Sequence, residues 1–138
     1  MSEKRREDID LICGREPVED DFRRRLGITN IIVDDNGYYA IELKVRPMHL
    51  NRMKIVHGGL LFTLCDSAAG NCVVLNGMNC VTQEGSIHYY SPAREGDTLL
   101  ARAEIRKQGQ TSAVANVEVT DQNGKLVADS TFTLFHKK

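Results

Sequence analysis

The spacing of apolar residues changes twice along the chain. Val18, Phe22 and Leu26 recur every four positions, the spacing of one helix face. Pro17 opens that stretch, Glu19, Asp20 and Asp21 precede Arg23, Arg24 and Arg25, and Gly27 follows. This order suits the helix dipole and predicts a short helix over 17–26. Two β-branched and aromatic runs come next, Ile28–Val33 and Tyr38–Val45, joined by Asp34-Asp35-Asn36-Gly37. Asn-Gly between such runs signals a hairpin, and Pro47 ends the second strand.

From His57 to Asn76 the period is helical. Leu60, Leu61, Leu64, Cys65, Ala68, Cys72 and Leu75 make this stretch apolar around much of its circumference, so the helix is expected to be nearly enclosed. His57-Gly58-Gly59 starts it and Asn76-Gly77 suits its C-cap. One stripe is different: Gly59, Thr63, Asp66 and Gly70 are small or polar and share a face, where either another backbone or a ligand must pack. The remainder alternates with period two, giving strands over 81–90, 98–107, 113–120 and 126–135, the last two separated by Asp121-Gln122-Asn123-Gly124. The long helix is the one element able to cover the buried face of these strands. The pattern therefore requires an α+β fold: a curved antiparallel sheet wrapped around one long central helix.

Composition narrows the function. With 138 residues, a single domain is expected. The net charge of −1 provides no field to recruit nucleic acid or an anionic membrane. The arginines at 23–25 follow an acidic turn and read as a solvated helix end. Asp66, Ser67 and Asn71 interrupt the longest apolar stretch, which reads as a buried helix and not a membrane span. The charged start, MSEKRREDID, has no apolar signal core, so a cytoplasmic protein is expected. Cys13, Cys65, Cys72 and Cys80 form no C-x-x-C pair, and Cys65 and Cys72 would lie about 10 Å apart along a helix. Reduced thiols are the simplest account. A cysteine nucleophile is the sharper alternative, but no histidine is placed by sequence to activate one. His49, His88 and His136 show no ligand spacing, so no metal is expected. Ser67 lacks the G-x-S-x-G setting of a triad serine.

The string Asn51-x5-His57-Gly58-Gly59-x6-Asp66 resembles the signature of the hotdog-fold thioesterases, in the phenylacetate-type (PaaI-like) acyl-CoA subfamily related to 4-hydroxybenzoyl-CoA thioesterase. Ile87-x-Tyr89-x-Ser91-Pro92, then Gly96-Asp97 and Gly109, extend the likeness over about residues 28–136. The implied division is a charged segment with a short helix over 1–27 and a hotdog domain over 28–138. The implied activity is hydrolysis of an acyl-CoA, aromatic or medium-chain, to a carboxylic acid and free CoA. Coenzyme A enters only as part of substrate and product, and no other cofactor is implied. Two glycines at a helix start offer exposed N–H groups at a positive dipole end. The resemblance assigns the Gly58 N–H to the developing oxyanion and makes Asp66 a general base or a nucleophile. It gives Asn51 the role of orienting the thioester or water, and Thr82 that of hydrogen-bonding the carboxylate or water. His57 reads first as a residue fixing the loop before the helix and second as a proton carrier. Asn51 reads equally as a turn residue, and Gly58 and Gly59 also as aids to close packing. For CoA, Gly59, Arg94 and the pair Arg106-Lys107 are candidates, each equally an ordinary surface position. Arg52-Met53-Lys54 replaces a stretch where the family commonly carries a glycine.

Gly58 and Asp66 stand eight residues apart, about 12 Å along one helix, whereas catalytic contacts lie near 3 Å. If both act on one carbonyl, they come from different subunits. A homodimer with two equivalent interfacial sites, or a dimer of dimers (homotetramer), is therefore expected. Tyr89, Tyr90 and Phe62 are candidate walls of the acyl pocket. A non-catalytic acyl-CoA sensor or carrier on the same fold is the competing function. A hotdog dehydratase would need a His–acid pair absent here, and a bare dimerisation domain leaves unexplained a carboxylate expected to be buried in the central helix.

Overall fold

The computed structural model describes residues 22–33 and 38–137. Within it α1 (Phe22–Leu26) is the described part of the helix expected over 17–26; residues 17–21, Cys13 and the 34–37 turn lie outside the described residues. The strands are β1 (Ile28–Val33), β2 (Tyr39–Lys44), β3 (Cys80–Tyr89), β4 (Thr98–Gln108), β5 (Ser112–Thr120) and β6 (Leu126–His136). The long helix, α2 (Gly58–Leu75), falls between β2 and β3. One six-stranded sheet has the order β1-β2-β4-β5-β6-β3, with all neighbours antiparallel. The chain thus uses α2 to cross from β2, on one side of the sheet, to β3 at the opposite edge.

Alternation decides which residues meet the helix. Leu99, Ala101 and Ala103 of β4, Ala113, Ala115, Val117 and Val119 of β5, and Ala128, Phe132 and Leu134 of β6 are almost completely buried. Small residues in the central strands let the sheet curve closely around α2, whose Leu64, Cys65, Ala68, Ala69 and Val73 are equally buried. The helix ends in a glycine-based cap: Gly77 takes φ +93° and donates to Val74 O at 3.0 Å, while Met78 donates to Val73 O at 3.2 Å. Met78 is itself buried, adding the apolar contact that accompanies this cap.

One expectation needs correction. The helix is less enclosed than its composition suggests: its buried residues occupy one broad face, and the stripe Gly59, Thr63, Asp66 and Gly70 stays accessible beside β3. Among the described residues α2 is long and apolar enough to cross a bilayer, with mean hydropathy 1.4, yet it packs on the sheet as its core helix. The stretch between β2 and α2 is pinned by a histidine. His49 is buried, its Nδ1 accepting from Arg46 N at 2.8 Å and its Nε2 lying 2.8 Å from Leu26 O. With Nδ1 an acceptor, the ring is neutral and Nε2–H donates, tying the end of α1 to the turn after β2. Burial holds the His49 pKa below its ordinary value, despite the opposing hydrogen bond to Leu26.

Candidate active site along the helix–strand seam

β3 is an edge strand whose only described partner is β6, and its inner face runs antiparallel to α2. Tyr89, Ile87 and Gly85 point at the helix by simple alternation. A β-bulge between Thr82 and Glu84 then shifts the parity, so that Thr82 and Cys80 point inward as well. Four contacts follow at intervals of four helix residues. Tyr89 Oη donates to Gly58 O at 2.9 Å. Gly85 faces Phe62, Thr82 Oγ1 donates to Asp66 Oδ1 at 2.5 Å, and Cys80 Sγ sits 3.8 Å from Gly70 O. The structure therefore joins Thr82 to Asp66, two residues sixteen positions apart, and leaves Asp66 Oδ2 without a partner among the described residues.

The start of α2 sorts its backbone donors. Leu60 N and Leu61 N donate to His57 O at 3.0 and 3.3 Å. Gly59 N donates to His57 Nδ1 at 2.8 Å, making His57 the N-cap. That leaves the Gly58 N–H as the donor of the first turn with no partner among the described residues. The expectation of two exposed glycine donors is thus corrected to one, because the His57 ring occupies the Gly59 N–H. That ring would also stand 3.0 Å from a Cβ at Gly59. Asn51 Oδ1 accepts from Met53 N at 2.9 Å and Ile55 N at 3.4 Å, an Asx turn, while its Nδ2 has no described partner. The Arg52-Met53-Lys54 departure has a backbone consequence: Lys54 adopts φ +63° at the position range where the family commonly has glycine.

The candidate CoA contacts separate. Val56 N donates to Ala93 O at 2.8 Å, which brings the Arg94 loop beside the start of α2. Lys107 lies at the other end: Asn76 Nδ2 donates to Gln108 Oε1 at 2.9 Å and anchors this part of β4 to the helix C-terminus. Gly58 and Lys107 are thus about a helix length apart, roughly 27 Å, and do not serve one site within a chain. Tyr90 is removed from the inner wall by alternation; it faces outward, donating to Asp129 Oδ1 at 3.0 Å and stacking with His88. Phe62 and Tyr89 remain on the seam. The Cys65 thiol is buried and pushed up to about 11, chiefly by burial, so it is a poor nucleophile. No group of three or more His, Cys, Asp or Glu among the described residues is arranged to hold a metal ion.

Comparison with known proteins places the chain in a family. The family model described as Thioesterase superfamily matches residues 53–128. The acyl-coenzyme A thioesterase PaaI of Escherichia coli is 35% identical over 105 residues, covering 76% of this chain and 74% of that protein. The solved structure of E. coli PaaI superimposes with a TM-score of 0.87 at 29% identity, covering 98% of this chain and 94% of that one. Human acyl-coenzyme A thioesterase 13 is 33% identical over 115 residues, covering 81% and 82%. A hypothetical thioesterase protein of Streptococcus pneumoniae, solved with coenzyme A, has a TM-score of 0.75 at 36% identity, covering 78% and 84%. The same protein has been solved as an Asp-to-Ala and a Thr-to-Ala variant, at positions sixteen residues apart; each has a TM-score of 0.73 at 34% identity, covering 80% of this chain and at least 95% of that one. With the family model, the fold and two curated relatives in agreement, this chain belongs to the thioesterase superfamily, as a PaaI-like acyl-CoA thioester hydrolase of the hotdog fold.

Proposed function

We propose that the chain hydrolyses the coenzyme A thioester of an aromatic or medium-chain acid at a site shared by two subunits. The observation that carries this reading is the pairing of Thr82 with Asp66 on an open seam, two helical turns from the Gly58 N–H, which has no partner among the described residues. The separation of sixteen between Asp66 and Thr82 equals that between the Asp and Thr replaced in the S. pneumoniae protein, which supports treating them as a functional pair. CoA in the solved structure of that protein supports CoA as the thiol portion.

In this reading the thioester oxygen of the substrate lies on the Gly58 N–H of one subunit, at the positive end of α2. Asp66 of the other subunit, oriented by Thr82, takes a proton from water as the water oxygen bonds to the carbonyl carbon; alternatively its Oδ2 attacks directly and water cleaves the resulting anhydride. Either way the C–S bond breaks, and the CoA thiolate leaves and is protonated. Asn51 Nδ2 donates to the thioester or the water, its Oδ1 being held by the turn.

The two-subunit arrangement is supported by the roughly 12 Å between Gly58 and Asp66 on one helix and by the state of β3. This ten-residue edge strand has its outer backbone edge unpaired among the described residues, with Val81 and Tyr89 about half exposed. A second copy paired along β3 would cover that edge and bring the partner's seam alongside. A dimer of dimers is compatible with the same pairing.

The test is thiol release from a panel of aromatic and aliphatic acyl-CoAs by the wild type and Asp66→Ala. Hydrolysis of one class, reduced by about 10² or more in the variant, is expected. Tight binding of acyl-CoA without hydrolysis would move the reading to a sensor or carrier.

A further inference from the structure

Tyr89 carries an observation that the proposed chemistry does not use. It closes β3, remains 53% exposed, and yet its hydroxyl is fixed on Gly58 O at 2.9 Å. The ring lies so close to the helix start that a Cβ on Gly58 would stand 3.1 Å from both Tyr89 Cζ and Oη. On the other side of the same peptide unit, Gly59 N donates to His57 Nδ1 at 2.8 Å. The peptide joining Gly58 to Gly59 is thus held at its carbonyl by Tyr89 and at its N–H by His57. The peptide that carries the Gly58 N–H is held at its own carbonyl, His57 O, by Leu60 N and Leu61 N, and rotation about the two backbone bonds of Gly58 couples it to the clamped unit. Two adjacent glycines are the most permissive backbone available, and a donor aimed at a developing charge must not wander.

We propose that Tyr89 is a positioning residue for thioester hydrolysis: with His57 it clamps the Gly58–Gly59 peptide and thereby aims the Gly58 N–H. This rests on the reading of Gly58 as the oxyanion donor. Tyr89 is held in reach by the parity of β3, in which positions 85, 87 and 89 face α2. The same close approach leaves a side chain at residue 58 little room unless the Tyr89 ring shifts.

The test compares wild type, Tyr89→Phe and Asp66→Ala on one acyl-CoA substrate. The Phe variant keeps the ring against Gly58 and loses only the hydroxyl. Its kcat is expected to fall about tenfold with KM within about twofold, the signature of an interaction realised in the transition state. Its thermal midpoint should stay near wild type, and NMR order parameters of the Gly58 and Gly59 amides should drop. A Tyr89→Phe enzyme with wild-type kcat and wild-type glycine amides, alongside an inactive Asp66→Ala, overturns the clamp and spares the site. Full activity in Asp66→Ala overturns the site assignment and the clamp with it.

Discussion

Gly85→Ala puts a methyl group where the fold has no room. The new Cβ would collide with Phe132 Cε1 and stand 2.7 Å from Phe132 Cδ1 and 2.9 Å from Phe62 Cζ. Carbon atoms rest about 3.5–4.0 Å apart, so the Phe132 ring or the β3 backbone must retreat by more than about 1 Å. Phe132 has no free direction, being fully buried and packed edge-to-face on Phe62 with centroids 5.2 Å apart. Overpacking of this kind costs about 1–3 kcal/mol, and this contact belongs at the upper end. The lower chain entropy of alanine returns about 0.5–1 kcal/mol, leaving a net loss of about 2 kcal/mol. Urea titration reads this as a fall in midpoint of about 1 M. Because Thr82 and Tyr89 ride on the same strand, activity should fall beyond the loss of folded protein. Phe132→Leu in the Gly85→Ala background relieves the clash, so the two substitutions should couple favourably in a double-mutant cycle. A Gly85→Ala midpoint equal to or above wild type would refute the packing argument.

Thr82→Val keeps the shape and removes the hydrogen bond to Asp66; a bond to a charged group is worth about 1.5–3 kcal/mol, so kcat should fall roughly 10–10²-fold with KM little changed. Unaltered steady-state kinetics would remove Thr82 from the mechanism. Lys54→Gly relieves a left-handed residue at φ +63°. Relief of about 1–2 kcal/mol against about 0.5–1 kcal/mol of added chain entropy predicts a small rise in the unfolding midpoint, and a fall would show that Lys54 is not strained. His49 supplies a pH dependence. Its pKa is depressed in the folded chain from 6.5, so below pH 6.5 the unfolded chain binds the extra proton. Its contribution is present above pH 6.5 and is lost as pH falls towards the folded value. Chemical denaturation of wild type against His49→Gln between pH 7.5 and about 5 should show the difference shrinking with acidity, and a constant difference would be the contrary result.

Helix α2 and strands β3 to β6 were legible because each buries one face, and one-sided burial leaves its period in the sequence. Leu99, Ala101 and Ala103 pointed to the core from alternation alone, and Asn76-Gly77 marked the helix end through the φ that only glycine takes easily. Asp66 stood out as a carboxylate in an apolar helix, and the family likeness supplied Thr82. The aim of Thr82 was not legible: it depends on a bulge between Thr82 and Glu84, whose extra residue leaves no mark in local composition. His49 lay in a polar stretch, and its partner Leu26 is twenty-three residues away. The resemblance had named the Gly58 N–H, but residue type alone did not separate it from Gly59; that depends on a ring nitrogen of His57. The separation of Lys107 from Gly58 within one chain was not legible, because the distance along α2 from its start to the end that meets β4 becomes visible only once the sheet is built.

The central claim, that Gly58 and Asp66 serve one site from two subunits, is open to subunit complementation. Gly58→Pro deletes the N–H at a first helical position, and His57, at φ −62° and ψ 134°, has the backbone that precedes proline comfortably; the new Cβ would stand 3.1 Å from Tyr89 Cζ and Oη of the same subunit, so that side chain must give by a few tenths of an ångström, and a thermal midpoint near wild type shows that the variant folds. Neither Gly58→Pro nor Asp66→Ala homodimers should hydrolyse acyl-CoA. Co-refolded in equal amounts, half the dimers become mixed, and each carries one intact shared site, so about a quarter of the wild-type rate should return. No recovery of activity, in mixtures shown by mass spectrometry to contain the mixed dimer, would contradict the shared site.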